Sequence, residues 1–188
     1  RAFYPIGFGD IIATGDGSAE LGTNGGFRAT VAPNTVLAFC FSGPLSSARA
    51  IIELVSGSVS YSDSGDGRLS PTLVTDGREL TATAETRTAE SGRDGADGAE
   101  ARVASITGEL AGLESKYEAE TENLRLINER YRELLATGSD GDIARFKAEA
   151  LFPAEDERSE IVGGISRRET VLRAIRLFVL SPRYMREK

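Results

Sequence analysis

The chain of 188 residues contains no histidine and no tryptophan, and it has a single cysteine, Cys40. The lack of histidine removes the commonest general base near neutral pH, the Ser-His-Asp and Cys-His arrangements, and the imidazole ligands that zinc and copper favour. A carboxylate-based hydrolase stays open, but the acidic residues lie in helix-like or glycine-rich stretches that are typical of solvated surface. We therefore expect a protein that is not an enzyme and that needs no cofactor.

Disulfides, long apolar runs and an excess of positive charge are also missing. A lone cysteine forms no disulfide within the chain, and Cys40 stands between two phenylalanines, which predicts a small buried side chain. The longest apolar run, "VLAFCF" at 36–41, is far shorter than the roughly 20 residues of a membrane-spanning helix. The net charge of -7 argues against nucleic acid as the partner.

Glycine is unevenly distributed, and its distribution predicts the domain organisation. Of the 21 glycines, 15 lie in residues 1–98. We expect a β domain over 1–90, a Gly/Asp linker over 91–98, and a helical region over 99–188. The predicted fold class is therefore α+β.

Alternating apolar residues and turn signals predict strands throughout the first region. The stretches are "GGFRATVAP", "TVLAFCFSGP", "RAIIELVSGSVSYS" and "RELTATAETRT". The second is apolar on both faces, which suits a central strand, and Gly57 in the third predicts a bend or bulge. Roughly five to seven short strands at this spacing favour a small antiparallel sandwich or barrel. "SSARAIIELV" is also compatible with a short helix.

The helical region opens with an apolar seam that runs from Val103 to Leu134 at alternating spacings of three and four, interrupted by Glu120. This heptad spacing predicts a coiled-coil-like helix over 99–136, about 57 Å long. The seam has two interpretations: it packs within the chain, or it docks a partner or second copy through residues that include Leu113 and Leu124.

Two further helices are expected after this one. Asp140 is a candidate cap for a short helix over 141–152, and Pro153 with "AEDERSE" predicts a connection. The sequence Ser166-Arg-Arg-Glu169 has the form of a capping box and predicts the start of a basic amphipathic helix over 166–181.

The C-terminal tail differs in charge from the rest of the chain. Residues 167–188 carry seven cations and two anions, so they sum to +5 and the rest of the chain sums to -12. This predicts docking to an acidic surface of another protein, with an apolar stripe supplying affinity and arginines supplying orientation. The residues expected to contact that partner are Val171, Arg173, Ile175, Arg176, Phe178, Arg183 and Arg186. The alternatives are an internal helix whose arginines pair with the acidic 100–160 region, and peripheral contact with a membrane surface.

Asp/Gly-rich loops support a different class of function. "GDGSAELGTNGG" at 15–26, "DSGDG" at 63–67 and "RDGADG" at 93–98 have the composition of calcium or carbohydrate loops. They lack the alternating carboxylates and distal glutamate of an EF-hand, and the first lacks the Lys-Ser/Thr of a phosphate-binding loop. We expect turns here, with a calcium- or carbohydrate-binding β module as the alternative function.

The stretch Ile165-Ser-Arg-Arg-Glu169-Thr-Val171-Leu-Arg173-Ala174, followed by Leu180-Ser181-Pro-Arg-Tyr184, resembles phycobilisome linker domains. In those domains a capped helix of the type "S-x-R-E-x-V-R-A" leads to an "S-x-x-Y" element. The resemblance implies a non-catalytic linker subunit that joins acidic proteins in a photosynthetic antenna complex of the chloroplast. It covers residues 165–184 alone, and the gap between its halves is about one helical turn longer here.

A β domain followed by a coiled-coil stalk is equally typical of a virion or phage-tail subunit. The first residue is Arg1 rather than Met, which slightly favours an imported organelle protein, although a maturation cleavage of a virion protein would leave the same kind of end. From the sequence we therefore expect a structural subunit of a large assembly.

Overall fold

The computed structural model describes residues 5–44, 47–65, 70–91 and 95–180, and the side chains of 95–97 lie outside the description. In these residues the chain forms eight strands followed by helices. The strands are β1 Ile11–Ala13, β2 Ala19–Gly22, β3 Phe27–Val31, β4 Val36–Ser42, β5 Arg49–Asp63, β6 Thr72–Thr75, β7 Arg78–Leu80 and β8 Arg87–Ser91. The helices are α1 Gly95–Thr137, α2 Asp140–Phe146 and α3 Phe152–Ala174, with π-helical turns at Lys147–Leu151 and Ile175–Val179.

The sheet is organised around the 15-residue strand β5. The first half of β5 pairs with β4 and β6, and its second half pairs with β3 and β8. The pairing is antiparallel except between β5 and β6. The sheet curls into a half-barrel, so the α+β class is confirmed while the predicted sandwich is corrected to a half-barrel.

Gly57 allows β5 to serve both halves of the sheet. Its φ is +94°, and the register against β4 shifts beside it, so that Val55 is left as the extra residue of a bulge. Thr35 is fully buried next to this bend, where its hydroxyl accepts a hydrogen bond from the Ser58 N–H at 3.0 Å. A bulge increases the local twist of a strand and curves the sheet. The predicted bend is confirmed.

The two faces of the sheet carry separate cores. On one face Phe27, Leu37, Leu54 and Leu73 pack inside the half-barrel. On the other face Val36, Ala38, Cys40, Ile51, Val55 and Val74 are covered by α1 and α3. Because β4 contributes to both clusters, it is covered on both faces, as its continuous apolar sequence predicts.

Helix α1 packs within the chain through its apolar seam. The 43-residue helix is about 64 Å long. Near its start, Val103 and Ile106 join the core that α3 forms with the sheet. Farther along, Leu124 packs with Leu151 and Ala154 of the second helical segment. The seam is thus a helix-packing face inside the chain.

The predicted connection at Pro153 is wrong, because residues 140–179 are helical throughout. The Phe152 N–H bonds to the Lys147 carbonyl oxygen, one residue farther back than in an α-helix. Because Pro153 has no N–H, it cannot donate the backbone hydrogen bond that an α-helix requires at that position. The wider π-helical turn lies directly before this interruption. The acidic residues Glu155, Asp156, Glu157 and Glu160 continue α3 as part of its exposed surface.

The predicted helix start at Ser166 is also wrong, since Ser166–Glu169 lies inside α3. The preceding Gly163 and Gly164 remain helical because they allow close packing. A Cβ at Gly163 would lie 2.9 Å from the Phe41 ring, and one at Gly164 would lie 3.4 Å from a Leu113 methyl. The packing of these neighbours outweighs the low helix propensity of glycine.

Residues 113–161 form an antiparallel helical hairpin, in which α1 leads outward and α2 and α3 return. The Arg158 Nη2 donates to the Tyr117 hydroxyl at 2.8 Å, and the Tyr131 and Phe146 rings stack at 6.4 Å. The hairpin carries thirteen acidic and seven basic side chains, a net charge of -6. The chain therefore presents a strongly acidic helical surface.

Candidate docking site at the end of the last helix

The apolar stripe predicted to bind a partner faces the chain's own sheet. Val171 is 4% exposed and Ile175 is 1% exposed, and both pack against strand residues of the second core. Phe178 is half-buried against the same cluster. A helical face of this period buries equally well in a partner or in a core, and here the neighbouring sheet face is apolar. The buried Val171 and Ile175 side chains are therefore placed in the core of this chain.

The first two arginines of the predicted tail pair within the chain. The Arg167 guanidinium donates to Glu53 Oε2 of β5 at 2.7 Å, and Arg168 Nε donates to Glu109 of α1 at 2.9 Å. The Arg168 pair agrees with the alternative prediction, in which arginines of the tail pair with the acidic 100–160 region of the same chain. The Arg167 pair instead joins α3 directly to the sheet.

These pairs line a cleft of about 580 Å³ between the sheet, α1 and α3. Its charged lining consists of three guanidinium groups and three carboxylates: Arg102, Arg167, Arg168, Glu53, Asp76 and Glu109. Arg102 Nη1 donates to the Val55 carbonyl oxygen at 2.8 Å and lies 3.9 Å from Asp76 Oδ1. Since opposite charges are balanced and paired here, we interpret the cleft as a polar seam that joins the two layers.

The Arg167–Glu53 pair is the most buried ion pair in the described part of the chain. The Glu53 side chain is 8% exposed and that of Arg167 is 21% exposed. Ions at this depth lose most of their hydration, so each one needs its partner. The pair therefore fixes the position of α3 on the sheet.

The Cys40 thiol lies beside this pair and is 3% exposed. Its pKa is raised to about 12, chiefly by burial and also by the Glu53 charge, while Arg167 acts in the opposite direction. The thiolate is the nucleophile of cysteine chemistry, and it does not form here near neutral pH. Cys40 is thus a core residue, as its phenylalanine neighbours predict.

The raised pKa predicts a stability loss in alkaline solution. The thiol pKa is 9.0 in its unperturbed state and about 12 in the folded chain, so unfolding releases a proton between these pH values. The contribution of Cys40 is therefore constant below pH 9 and is lost as the pH rises from 9 toward 12. Urea titrations at pH 8–11 should show wild type losing up to about 1.4 kcal/mol per pH unit more than Cys40→Ala. If the free energy of unfolding falls equally with pH in the two proteins, the raised pKa of the Cys40 thiol is contradicted.

A small exposed surface remains on the last helical turns. Arg176 is exposed and Leu177 is 56% exposed, while the exposed Arg173 donates to the Gly9 carbonyl oxygen. We call Arg173, Arg176 and Leu177 the C-terminal patch. Arg183 and Arg186, which were predicted to belong to this surface, lie outside the described residues. Leu177 was missed by the sequence reasoning, although its position about 200° around the helix from Ile175 places it on the opposite face.

The two seam leucines predicted to bind a partner lie in the hairpin. Leu124 is 8% exposed in the hairpin core. Leu113 is half-buried and lies against Gly164 of α3. The structure thus brings each leucine against the returning helix and separates both from the C-terminal patch.

The Asp/Gly loops have internal partners where they are described. Asp63 accepts hydrogen bonds from the Ser70 hydroxyl and from the Gly65 N–H, and these bonds lower its carboxyl pKa. Within residues 5–44, 47–65, 70–91 and 95–180, no three acidic, cysteine or histidine side chains are grouped closely enough to hold a metal ion. Asp66 and Asp94 lie outside the described residues. Asp63 is therefore a turn-stabilising residue.

An uncharged groove of about 280 Å³ lies at one end of the half-barrel. Phe8, Leu21, Phe39 and Ile52 line it, and none of the described lining residues is charged. Calcium requires oxygen ligands, and carbohydrate hydroxyl groups require polar partners. The described lining carries no carboxylate for calcium, so this groove does not support the calcium alternative, while the carbohydrate alternative stays a prediction.

Among the described helices, none combines the length and the apolar character that crossing a bilayer requires. Comparison with known proteins finds no matching family model, no matching curated protein and no matching solved structure.

Proposed function

We propose that this chain is a non-catalytic structural subunit of a larger protein assembly, and that it docks an acidic surface of a neighbouring subunit through the C-terminal patch. One observation carries the proposal: an exposed leucine lies beside two exposed arginines on a helix whose opposite face is fixed in the core. This arrangement is typical of a preformed docking surface.

The backbone beneath the patch is held in place. Ala174 and Ile175, on the buried side of the same turns, are 0% and 1% exposed. A rigid helix loses little backbone entropy when a partner binds, which reduces the cost of association. The patch is therefore preorganised.

The patch supplies affinity and orientation through different side chains. Leu177 is 56% exposed, so its full burial contributes about 0.8–1.7 kcal/mol before the cost of association is deducted. Arg173 and Arg176 present guanidinium groups that pair with carboxylates in two-pronged geometry. Their attraction to an acidic surface is screened beyond roughly 8 Å at physiological ionic strength, so the rate of association should fall with salt.

A structural subunit also needs a second surface, and the hairpin provides one. It projects from the core as a pair of packed helices with a net charge of -6. Membership of a photosynthetic antenna complex, as the linker resemblance implies, and membership of a virion both stay predictions. The patch and the hairpin serve equally in either assembly.

The proposal predicts that reversing the charge of the patch releases the chain from its assembly. The test is chemical cross-linking and affinity purification from the source cells, with wild type compared with Arg173→Glu plus Arg176→Glu. We expect the variant to lose at least about 90% of the stoichiometric partners, because like charges facing each other cost several kcal/mol. The matched control is Arg78→Glu plus Arg87→Glu, which makes the same charge change on exposed strand positions.

Equal recovery of partners by the patch variant and the control would contradict the proposal. Sedimentation with vesicles of phosphatidylcholine and phosphatidylserine tests the membrane alternative. Wild type that sediments with these vesicles, but recovers no protein partner, would replace protein docking with membrane docking.

A further inference from the structure

We infer that the acidic surface engaged by the C-terminal patch is a groove on the hairpin of a second copy of this chain. The inference rests on the proposed function and names the partner of that same patch. It predicts a contact between two different surfaces of the same molecule.

The groove lies between α1 and α3 and has a volume of about 460 Å³. Its floor is apolar and consists of the half-buried Leu113 and the buried Ile161, with the exposed Ala119 beside them. Its rim carries the carboxylates of Glu120, Glu157 and Glu160, with Lys116 as the one cation among the described lining residues. An apolar floor inside an acidic rim fits a basic segment that presents an aliphatic side chain.

The rim carboxylates are available to a partner. Glu157 and Glu160 are exposed, and neither makes an ion pair or hydrogen bond within the described part of the chain. Glu120 accepts one hydrogen bond, from Asn123 Nδ2 at 3.0 Å. The three carboxylates and the single Lys116 together give the described lining of the groove a net charge of -2.

The C-terminal patch has the complementary composition. Its two arginines match this net charge, and Leu177 is the exposed apolar side chain that the floor can cover. Guanidinium–carboxylate pairs at a partly buried rim give orientation, and the leucine gives contact area. The patch is therefore complementary to the groove in charge and in the placement of its apolar side chain.

The contact cannot form within one molecule. Glu160 and Arg176 are 16 positions apart in one continuous helical segment, which separates them by about 24 Å along its axis. A patch that binds the groove must come from another copy, and the contact is then heterologous. Repetition of a heterologous contact yields a ring or a filament.

The test is sedimentation velocity of the purified full chain over a range of concentrations, at low and at high salt. We expect wild type to self-associate with rising concentration and to dissociate as salt is added. Arg173→Glu plus Arg176→Glu, and separately Glu157→Arg plus Glu160→Arg, should each weaken association at least about 100-fold. A mixture of the two variants should associate again, because the intact groove of one meets the intact patch of the other.

Circular dichroism melting confirms that each variant is folded. A monomeric wild type at every concentration, or association that neither pair of substitutions weakens, would overturn the inference. If wild type is monomeric while the patch variant still loses its partners in cells, the proposed function stands and the second-copy partner is excluded. If wild type self-associates through these sites while no cellular assembly is found, the inference stands and the wider structural role fails.

Discussion

Gly57→Ala is expected to destabilise the folded chain by about 2–5 kcal/mol. A left-handed conformation costs an L-residue about 1–2 kcal/mol, and Gly57 has a φ of +94°. The added Cβ would also lie 2.6 Å from the Thr35 Cα and 2.8 Å from the Asn34 carbonyl oxygen. These are backbone atoms that cannot rotate away, and such overpacking costs about 1–3 kcal/mol more. Urea denaturation followed by circular dichroism measures the loss.

Gly77→Ala is the matched control for this prediction. Gly77 has a φ of +76° and no atom within 4 Å of the added Cβ. It therefore incurs the backbone cost alone, about 1–2 kcal/mol. Equal losses at the two positions would contradict the close approach of β5 to Thr35, and with it the account of the bend.

Arg167→Met is expected to destabilise the chain by about 3 kcal/mol. The substitution keeps an aliphatic side chain in place but leaves the Glu53 carboxylate buried without its partner. Removing one member of a buried pair costs about 3–5 kcal/mol, and the residual exposure of Arg167 places this one at the lower end. Thermal and urea unfolding both report the change.

The double substitution Glu53→Leu plus Arg167→Met should recover most of that loss, since no buried charge is then left unpaired. The exposed pair of Arg130 and Glu133 is the control, because both side chains are 64% exposed. Arg130→Met should cost at most about 1 kcal/mol. An Arg167→Met variant as stable as Arg130→Met would show that the Glu53 pair does not hold α3 on the sheet.

Much of the sheet was predictable because its longer strands alternate or are continuously apolar. In β3, Phe27 and Val31 are buried while Arg28 is exposed, as the alternation requires. Strands β1, β2 and β6 have three or four residues each, which is too short for periodicity to be recognised. The alternation in "RELTATAETRT" predicts one strand, but β7 ends at Leu80 and β8 begins at Arg87. The parallel pairing of β6 with β5 depends on tertiary contacts.

The helices show which local signals were outweighed by packing. The apolar spacing from Val103 to Leu134 identified α1 because its period is sustained over many turns. Pro153 predicted a connection and the Ser166–Glu169 capping box predicted a helix start, yet the helix continues through both. A π turn accommodates the first, and the close contacts of Gly163 and Gly164 hold the helix together ahead of the second. These contacts come from elements distant in sequence.

The docking surface was only partly predictable, for a geometric reason. Periodicity identified the face of Val171 and Ile175 as one that is buried, but it carries no information about which surface covers that face. The apolar face of the sheet covers it. The exposed face follows from the same helical geometry, which places Leu177 beside Arg173 and Arg176. The groove between α1 and α3 required the structure, because its rim combines residues from both helices.

The mass of the native complex tests the central claim, assembly through docking, most directly. Sedimentation of a fresh, gently lysed extract of the source cells, with the chain detected by antibody, measures that mass without purification. The account predicts that most of the chain sediments in a complex far larger than its own 20.0 kDa, and that high salt shifts it toward smaller species. Sedimentation of all of the chain as a free monomer at low salt would contradict the account.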